Sequence, residues 1–502
     1  MSTAPAADSQ RFSSRIGLIL SVLGIAVGTG NIWRFPRIVA GNGGEDGAGA
    51  FVVAWAVCLL TWSIPLIIAE YAMGRAGRKG VPGTFGQIAG PKFGWMGAFV
   101  VFVATAIMFY YSVVAGWCFY YLGVTVVDPL PFSTETAFGV WNGFQGSLWP
   151  LVLHGMAMLL GGLAVARGIK GIEKVNKILI PTLLGIVILC VINALRLPGA
   201  MDGVAYLFTP DWSTLSNASL WLEALTQNAW DTGAGWGLIL TYAAYMGAKD
   251  TVVRNAFITG VGNNMVSLLA ATMIFATVFS LLGAQMSQAE VLGVMQDSGP
   301  ASTGLTFIWM PQLFGQMAGG KAFAILFFLA LSFAAISSLL SMIELATRVL
   351  VDAGIDRKKA VAIVGGVGFL LGVPSALSAD ILGNQDFVWG VGLMISGAFV
   401  AFAVLRFGVT KFRKAHVNTP DDWRPGRVWD VLIGFAVPVQ AVVLLIWWMW
   451  QAATAYSTNW WDPLEPYSLM TCVVQWTIVL GVLIASNRWL MRRTLPDLTR
   501  DM

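Results

Sequence analysis

Long apolar segments separated by short polar ones dominate the chain from end to end. Twelve of them approach or exceed the roughly 20 residues that an α-helix needs to cross a hydrocarbon layer. Only 11% of the 502 residues are charged, against about 25% in a soluble domain. The sequence therefore predicts an all-α polytopic membrane protein with 12 transmembrane helices. The predicted spans are residues 16–40, 51–74, 93–126, 149–166, 173–195, 221–247, 255–284, 322–350, 360–376, 387–407, 430–450 and 467–487.

The basic residues predict the orientation of these spans. With the N-terminus in the cytoplasm, every Lys and Arg falls in a cytoplasmic segment or helix end except Arg34, Arg37, Arg196 and Lys321. An excess of Lys and Arg is typical of cytoplasmic loops. We expect a multi-pass protein of the inner (plasma) membrane with both termini in the cytoplasm. No small-residue cleavage pattern follows the first apolar segment, so we expect it to remain as a helix.

Several classes of function are disfavoured by composition. The four cysteines lie inside apolar segments without CxxC spacing, and the two histidines, His154 and His416, are far apart. We therefore expect no disulfide, no metal catalysis and, since no nucleophile–base pair stands out, no enzyme. The net charge of +4 is small and spread between spans, which argues against a nucleic-acid partner.

Glycine interrupts two of the predicted spans. The first contains residues 24–31 (GIAVGTGN), and the sixth contains residues 230–237 (WDTGAGWG). Each glycine disfavours a helix interior by about 1 kcal/mol relative to alanine. The runs lie five helices apart, and matching interruptions in inverted halves are typical of a transporter site near the bilayer midplane. A helix-packing motif is the alternative interpretation of Gly24 and Gly28.

This spacing predicts a 5+5 inverted repeat with discontinuous helices 1 and 6. The predicted organisation is a cytoplasmic segment 1–15, a first repeat 16–195, an extracellular loop 196–220, a second repeat 221–408, and two further helices with a cytoplasmic tail at 409–502.

The residues around the first interruption resemble a known family. The run 14–36 (SRIGLILSVLGIAVGTGNIWRFP) is similar to the first helix of the neurotransmitter:sodium symporters. The runs 42–51 and 64–75 resemble the signature of their second helix, and weaker similarity extends to about residue 408. The resemblance is to the bacterial amino-acid transporter branch, and it implies the same fold with discontinuous helices.

The resemblance implies two sodium sites. The first would use the carbonyl of Ala26 and the side chains of Asn31, Asp231 and Asn263, with Asn264 as the alternative to Asn263. The second would use the carbonyls of Gly24, Val27 and Ala334 and the hydroxyls of Ser337 and Ser338. Oxygen ligands of this kind suit a hard cation.

The resemblance also implies a substrate site. A carboxylate would meet the N–H groups of Thr29 and Gly30 and the Tyr111 hydroxyl, and an amino group would meet the carbonyls of Ala26, Trp230 and Asp231. The apolar lining would come from Ile107, Trp230, Trp236 and Met342, and Gly28, Gly233 and Ser338 complete the site. Arg34 and Asp386 resemble an outer gate, and Tyr245 and Asp352 resemble an inner gate with Arg11 or Arg15 as partner.

Asp231 departs from the family, whose members usually carry Thr or Ser there. A charge at the membrane centre costs about 2.5–3.5 kcal/mol on insertion scales, so a cation or a proton should accompany it. Gln227 and Ser267 match the chloride-binding pattern of chloride-dependent members, whereas Trp55 replaces their tyrosine. We expect the carboxylate to replace chloride. The alternatives are that Asp231 cycles a proton or binds a substrate amine.

These features predict a sodium-coupled symporter that imports a neutral amino acid by alternating access. Two sodium ions are expected, and chloride is not expected to be required. Gly28 stands where monoamine members carry aspartate, which favours a substrate with its own carboxylate. The alternatives are proton-coupled or sodium-independent transport of an amino acid or amine, and a non-transporting sensor. The expected partners are a small-molecule substrate and the lipid bilayer.

Overall fold

The computed structural model describes residues 11–247, 250–297 and 303–499, so the first ten residues of the predicted segment 1–15 lie outside the described part. Regular structure there is helical, apart from one isolated bridge between Ala48 and Pro210. We number fourteen principal helices and leave the short loop helices unnumbered. They are α1 Arg15–Ala26, α2 Thr29–Gly41, α3 Gly49–Gly77, α4 Pro91–Val127, α5 Trp149–Ala166, α6 Ile169–Ala194, α7 Ala218–Asp231, α8 Leu238–Ala243, α9 Val253–Leu282, α10 Gly320–Asp352, α11 Arg357–Leu377, α12 Ala379–Phe407, α13 Gly426–Thr454 and α14 Leu469–Thr494.

The predicted all-α class is confirmed, with ten described helices long and apolar enough to cross a membrane. Helices α1 and α2 form an eleventh candidate span, bent by 48° at its break. The remaining predicted span, 221–247, coincides with α7 and α8, which have 14 and 6 residues. Neither part is long enough to span alone, so the count of twelve and the repeat remain predictions.

The first break follows from the conformation of two residues. Val27 leaves the helical region with φ −77° and ψ 86°, and Gly28 is extended with φ −103° and ψ −174°. The Asn31 side chain then accepts a hydrogen bond of 2.8 Å from the Gly28 N–H, which caps the start of α2. The break leaves carbonyls at the end of α1 and N–H groups at the start of α2 without partners in their own helix.

The second break is built from three glycines with positive φ. Gly233, Gly235 and Gly237 have φ of +71°, +84° and +76°, a region that glycine adopts without steric cost. The fully buried carboxylate of Glu70 on α3 accepts the N–H groups of Gly235 at 2.6 Å, Gly237 at 3.3 Å and Leu240 at 3.1 Å. Backbone donors at this depth must be satisfied by protein, and Glu70 does this for the loop between α7 and α8.

The last two helices are the least buried of the ten candidate spans in the described part of the chain. Only 22% and 17% of the residues in the most apolar windows of α13 and α14 are buried, against 78% in α4. Both breaks therefore lie within the bundle formed by α1 to α12.

Candidate functional site at the two helix breaks

A cavity of about 550 Å³ lies where the two breaks meet. The structure brings all the residues predicted to contact substrate to its wall. They are Ala26, Gly28, Thr29, Gly30, Ile107, Tyr111, Trp230, Asp231, Gly233, Trp236, Ser338 and Met342. The cavity continues to Arg34 and Asp386, on the side that the sequence places outside.

The polar end of the cavity lies at the start of α2. The Tyr111 hydroxyl is 3.4 Å from the Thr29 nitrogen and 3.3 Å from its hydroxyl. A Cβ on Gly28 would lie 3.2 Å from Ser338 Oγ and 3.3 Å from Tyr111 Oη, so a side chain there would crowd this end. A helix N-terminus with unpaired N–H groups favours an anion, and a carboxylate fits this end of the cavity.

Asp231 is the last residue of α7, and only one of its two carboxylate oxygens has a hydrogen bond in the described part of the chain. Its Oδ2 accepts hydrogen bonds from Gln227 at 3.1 Å and from Ser267 at 3.4 Å. Its Oδ1 is buried and has no hydrogen bond in the described part of the chain. A buried carboxylate oxygen without a partner is costly unless a cation or a proton satisfies it.

The Asn263 amide joins the two breaks. One of its terminal atoms lies 2.9 Å from the Ala26 carbonyl oxygen and 3.2 Å from the Asp231 carbonyl oxygen. If the amide nitrogen occupies this position, it donates to both carbonyls. If the amide oxygen occupies it, the Asn31 side chain donates to that oxygen at 2.7 Å, and the oxygens of Asn263, Ala26 and Asp231 converge. A cation would favour the second orientation. Ala26, Asn31, Asp231 and Asn263 thus lie together, and their donor set fits a monovalent cation.

The second predicted cation site lies where α10 meets the end of α1. The Ser338 hydroxyl is 3.3 Å from the Gly24 carbonyl oxygen and 3.4 Å from that of Ile25. The Ser337 hydroxyl donates to the Ala334 carbonyl at 2.9 Å. The predicted ligands on α10 therefore face the turn of α1 that carries Gly24, and Val27 follows at the break.

Two of the tryptophans in the apolar wall contact each other. Trp230 and Trp236 pack edge to face with centroids 6.1 Å apart, and the Trp236 indole donates to the Ala229 carbonyl at 3.0 Å. The guanidinium of Arg34 lies 4.7 Å from the centre of the Trp230 ring. Arg34 and Asp386 both line the cavity and form no ion pair with each other in the described structure.

The opposite side, which the sequence predicts to be cytoplasmic, is closed by a charged network. The Tyr245 hydroxyl donates to buried Glu344 at 2.5 Å, and Arg357 forms an ion pair with the same carboxylate. Arg348 pairs with Asp352 at 3.1 Å and lies 4.9 Å from the centre of the Tyr245 ring. Both predicted inner-gate residues lie in this network.

The predicted partner on this side, Arg11 or Arg15, stays a prediction. Glu344, Arg348 and Arg357 were missed, although charges inside an apolar helix are a signal of function. Arg11 lies close to Arg78, whose pKa is lowered by burial and by the neighbouring Arg11 charge. At the outer mouth, Arg37 and Glu223 also line the cavity and were not predicted as site residues.

The sequence matches the Sodium:neurotransmitter symporter family over residues 9–143 and 144–495. An uncharacterized sodium-dependent transporter of Methanocaldococcus jannaschii is 34% identical over 460 residues, covering 87% of this chain and 90% of that protein. The sodium-dependent serotonin transporter of Drosophila melanogaster is 27% identical over 489 residues, covering 87% and 76%. The crystal structure of MhsT in complex with L-phenylalanine matches with a TM-score of 0.75 at 28% identity, covering 87% of this chain and 99% of MhsT.

Proposed function

Because this chain belongs to the sodium:neurotransmitter symporter family, we propose that it couples the import of a neutral amino acid to an inward sodium gradient. The family consists of membrane transporters rather than enzymes. One observation carries the proposal: both helix breaks, an unpaired carboxylate oxygen and an apolar pocket border one cavity of about 550 Å³. A cavity with convergent polar groups and an apolar wall is the usual form of a small-molecule site.

The substrate carboxylate binds at the start of α2. The Thr29 and Gly30 N–H groups and the Tyr111 hydroxyl supply its donors, and the positive end of the helix dipole favours its charge. The amino group meets the carbonyls at the ends of α1 and α7. The apolar side chain packs against Trp230 and Trp236. MhsT, whose solved complex holds L-phenylalanine, supports an amino-acid substrate.

Two sodium ions bind at the breaks. The first ion takes the Ala26 carbonyl, Asn31, Asp231 and Asn263, and it satisfies the unpaired Asp231 oxygen. The second takes the Gly24, Val27 and Ala334 carbonyls with the Ser337 and Ser338 hydroxyls. Since each ion joins a broken helix to a continuous one, binding stabilises the outward-open arrangement.

Asp231 supplies the fixed negative charge of the first sodium site in place of chloride. Its Oδ2 accepts hydrogen bonds from Gln227 and Ser267, the two residues that match the chloride pattern. A chloride ion beside this carboxylate would be repelled. The transporter is therefore chloride-independent.

Transport follows alternating access across twelve helices in the inner membrane, with both termini in the cytoplasm. Substrate binding brings Trp230 over the cavity and Arg34 toward Asp386. The cytoplasmic network of Tyr245, Glu344 and Asp352 then opens to release substrate and sodium. A ligand shifts this equilibrium only by its difference in affinity for the two states.

Proton coupling is a second candidate because Asp231 Oδ1 lacks a hydrogen bond in the described structure. A proton on this oxygen would also satisfy it, either during transport or during return of the empty carrier.

Uptake into proteoliposomes tests these proposals. A labelled amino-acid mixture is presented with an inward sodium gradient, with choline in place of sodium, and with gluconate in place of chloride. We expect accumulation that requires sodium and is unaffected by chloride removal. Equal uptake in sodium and choline would overturn sodium coupling and favour the proton, whereas collapse in gluconate would overturn the role of Asp231.

A matched pair of variants links uptake to the cavity. Tyr111→Phe removes the hydroxyl that faces Thr29 and should reduce uptake at least about tenfold, the usual scale for a lost hydrogen bond to a charged group. Tyr120→Phe, on the same helix, removes a hydroxyl that does not line the cavity. The Tyr120 ring stacks on Phe144 with centroids 4.0 Å apart, and we expect this variant to transport like the wild type. Equal uptake by the two variants would show that the substrate does not bind at the Tyr111 hydroxyl.

A further inference from the structure

The last turn of α7 ends in carbonyl groups, those of residues 228–231, that have no partner within the helix. Side chains of the following loop satisfy the first two. The Thr232 hydroxyl donates to the first at 2.6 Å, and the Trp236 indole donates to the second, that of Ala229, at 3.0 Å. In the described structure the last two, those of Trp230 and Asp231, accept no backbone N–H group. The loop therefore divides the helix end into a satisfied part and an open part.

The cavity wall follows the same division. Trp230 and Asp231 line the cavity, whereas Ala229 is 1% exposed and is not among the described residues of the wall. Trp236 lines the cavity as well and is 6% exposed. Its side chain thus belongs both to the cavity wall and to the hydrogen bonding of the helix end.

The Trp236 indole takes the place of a missing backbone donor. In an uninterrupted helix the N–H group of residue 233 would donate to the Ala229 carbonyl. Gly233 instead has a φ of +71° and leaves the helix. Backbone acceptors at membrane depth must be satisfied by protein, and the indole N–H, seven residues along the chain, satisfies this one.

Trp236 is itself held on both sides. The N–H groups of its neighbours Gly235 and Gly237 donate to the Glu70 carboxylate at 2.6 and 3.3 Å. Gly235 also packs directly on α12, since a Cβ there would lie 2.8 Å from the Gly397 Cα. Residue 236 is therefore anchored to α3 and α12, and its indole joins this anchored loop to the end of α7.

We propose that Trp236 is a positioning residue: by fixing the last turn of α7, it aims the Trp230 and Asp231 carbonyls at the amino group of the substrate. The inference rests on the proposed function, because it assigns the amino group to these carbonyls. Acceptors that are already oriented bind more tightly, since less conformational freedom is lost on binding. The carboxylate end of the site, at the start of α2, has its own donors and should not depend on Trp236.

Removal of the indole N–H alone tests the inference. In the full-length protein, Trp236 is replaced by 3-benzothienylalanine, which keeps the shape of the ring and has sulfur in place of the N–H group. The probes are L-leucine and L-phenylalanine, each compared with the acid that lacks the amino group and with the amine that lacks the carboxylate. Displacement of the labelled amino acid in sodium gives the affinity of each compound.

The variant should discriminate less well by the amino group. The preference for the amino acid over the acid should fall about fivefold, which is one net hydrogen bond of about 1 kcal/mol. The preference for the amino acid over the amine should change less than about twofold, because the carboxylate donors are distant and untouched. A merely structural role of Trp236 would weaken both preferences alike. Such a result, or two unchanged preferences, would overturn the inference.

Trp221 provides the matched control. Its indole donates to the Leu215 carbonyl at 2.9 Å, and it is not among the described residues of the cavity wall. The same replacement at Trp221 should leave both preferences as in the wild type, and an effect equal to that at Trp236 would count against the inference. If the benzothienyl variant of Trp236 does not fold, Trp236→Phe makes the same comparison. Wild-type protein that binds neither amino acid would overturn the proposed function and this inference with it.

Discussion

The indole of Trp230 lies directly against Gly390 on α12, where even a methyl group would overlap the Cζ2 atom of the ring. The Arg34 guanidinium lies 4.7 Å from the centre of the same indole. The position of Trp230 at the edge of the cavity is therefore set by the absence of a side chain at residue 390.

Gly390→Ala should displace Trp230 and impair closure over the substrate. Crowding of this kind typically costs 1–3 kcal/mol, so we expect KM for uptake to rise about tenfold. The concentration dependence of uptake in proteoliposomes measures this change. Gly366→Ala on α11 is the control, because a Cβ there meets nothing within 4 Å. An unchanged KM in well-folded Gly390→Ala protein would show that Trp230 does not cover the substrate.

Glu70→Gln should loosen the second break. The Glu70 carboxylate accepts three backbone N–H groups, and glutamine keeps one acceptor while placing an NH₂ group among donors. Hydrogen bonds to a charged group contribute about 1.5–3 kcal/mol each, so the free energy of unfolding should fall by about 2 kcal/mol. A lower Tm with reduced uptake is the expected result. Wild-type Tm and uptake would show that the loop does not depend on Glu70.

The sequence predicted the elements whose signal is local. The break in the first span was expected at residues 24–31 and lies at Val27 and Gly28. The break in the sixth was expected at residues 230–237 and lies between Asp231 and Leu238. Glycine clusters at mid-membrane depth are visible without knowledge of the fold.

The groups that were missed depend on contacts between distant helices. Glu70 lies in the run 64–75 that resembles the second-helix signature of the family. Its partners, however, are backbone N–H groups about 170 positions away, and no side-chain pattern in the sequence indicates them. The pairing of Glu344 with Arg357 depends on how α10 and α11 pack. The place of Trp230 depends on Gly390, a glycine that looks ordinary in the sequence. Each becomes evident only when the packing is known.

Glu344→Gln should weaken closure on the side of the cavity opposite to Arg34 and Asp386. Glu344 is fully buried, accepts from Tyr245 and pairs with Arg357. Removing one member of a buried ion pair costs about 3–5 kcal/mol, and opening relieves that cost by exposing Arg357 to water. We expect a shift toward the inward-open state, with weaker substrate binding from outside. Equilibrium binding of labelled substrate measures the shift.

The control for Glu344→Gln lies in another ion pair, on the side that the sequence predicts to be cytoplasmic. Arg413 pairs at 2.7 Å with Asp430, which lies on α13 outside the predicted inner gate. Asp430→Asn should leave substrate affinity unchanged. Equal affinities for both variants and the wild type would mean that Glu344 does not hold the gate.

Asp231→Ser should make uptake dependent on chloride. Serine removes the carboxylate but frees Gln227 and Ser267, which now donate to Asp231. We expect low uptake in gluconate and at least about a tenfold gain in chloride, because the anion restores an interaction of about 1.4 kcal/mol or more with sodium. Asp231→Asn should stay low in both salts, since its amide fills the anion position. A chloride effect of equal size in both variants would contradict replacement of the anion by Asp231.

Asn263→Ala should raise the sodium concentration needed for half-maximal uptake at least about tenfold, whereas Asn264→Ala should change it less than about twofold. The reason is geometric: one end of the Asn263 amide lies 2.9 Å from the Ala26 carbonyl and 3.2 Å from the Asp231 carbonyl. The Asn264 oxygen instead accepts from the Asn263 nitrogen at 3.2 Å, so it supports the ligand rather than the ion. The two variants remove the same amide from adjacent buried positions, which makes them matched controls. If Asn264→Ala has the larger effect on sodium dependence, the ligand is Asn264, and the first sodium site lies one residue along α9.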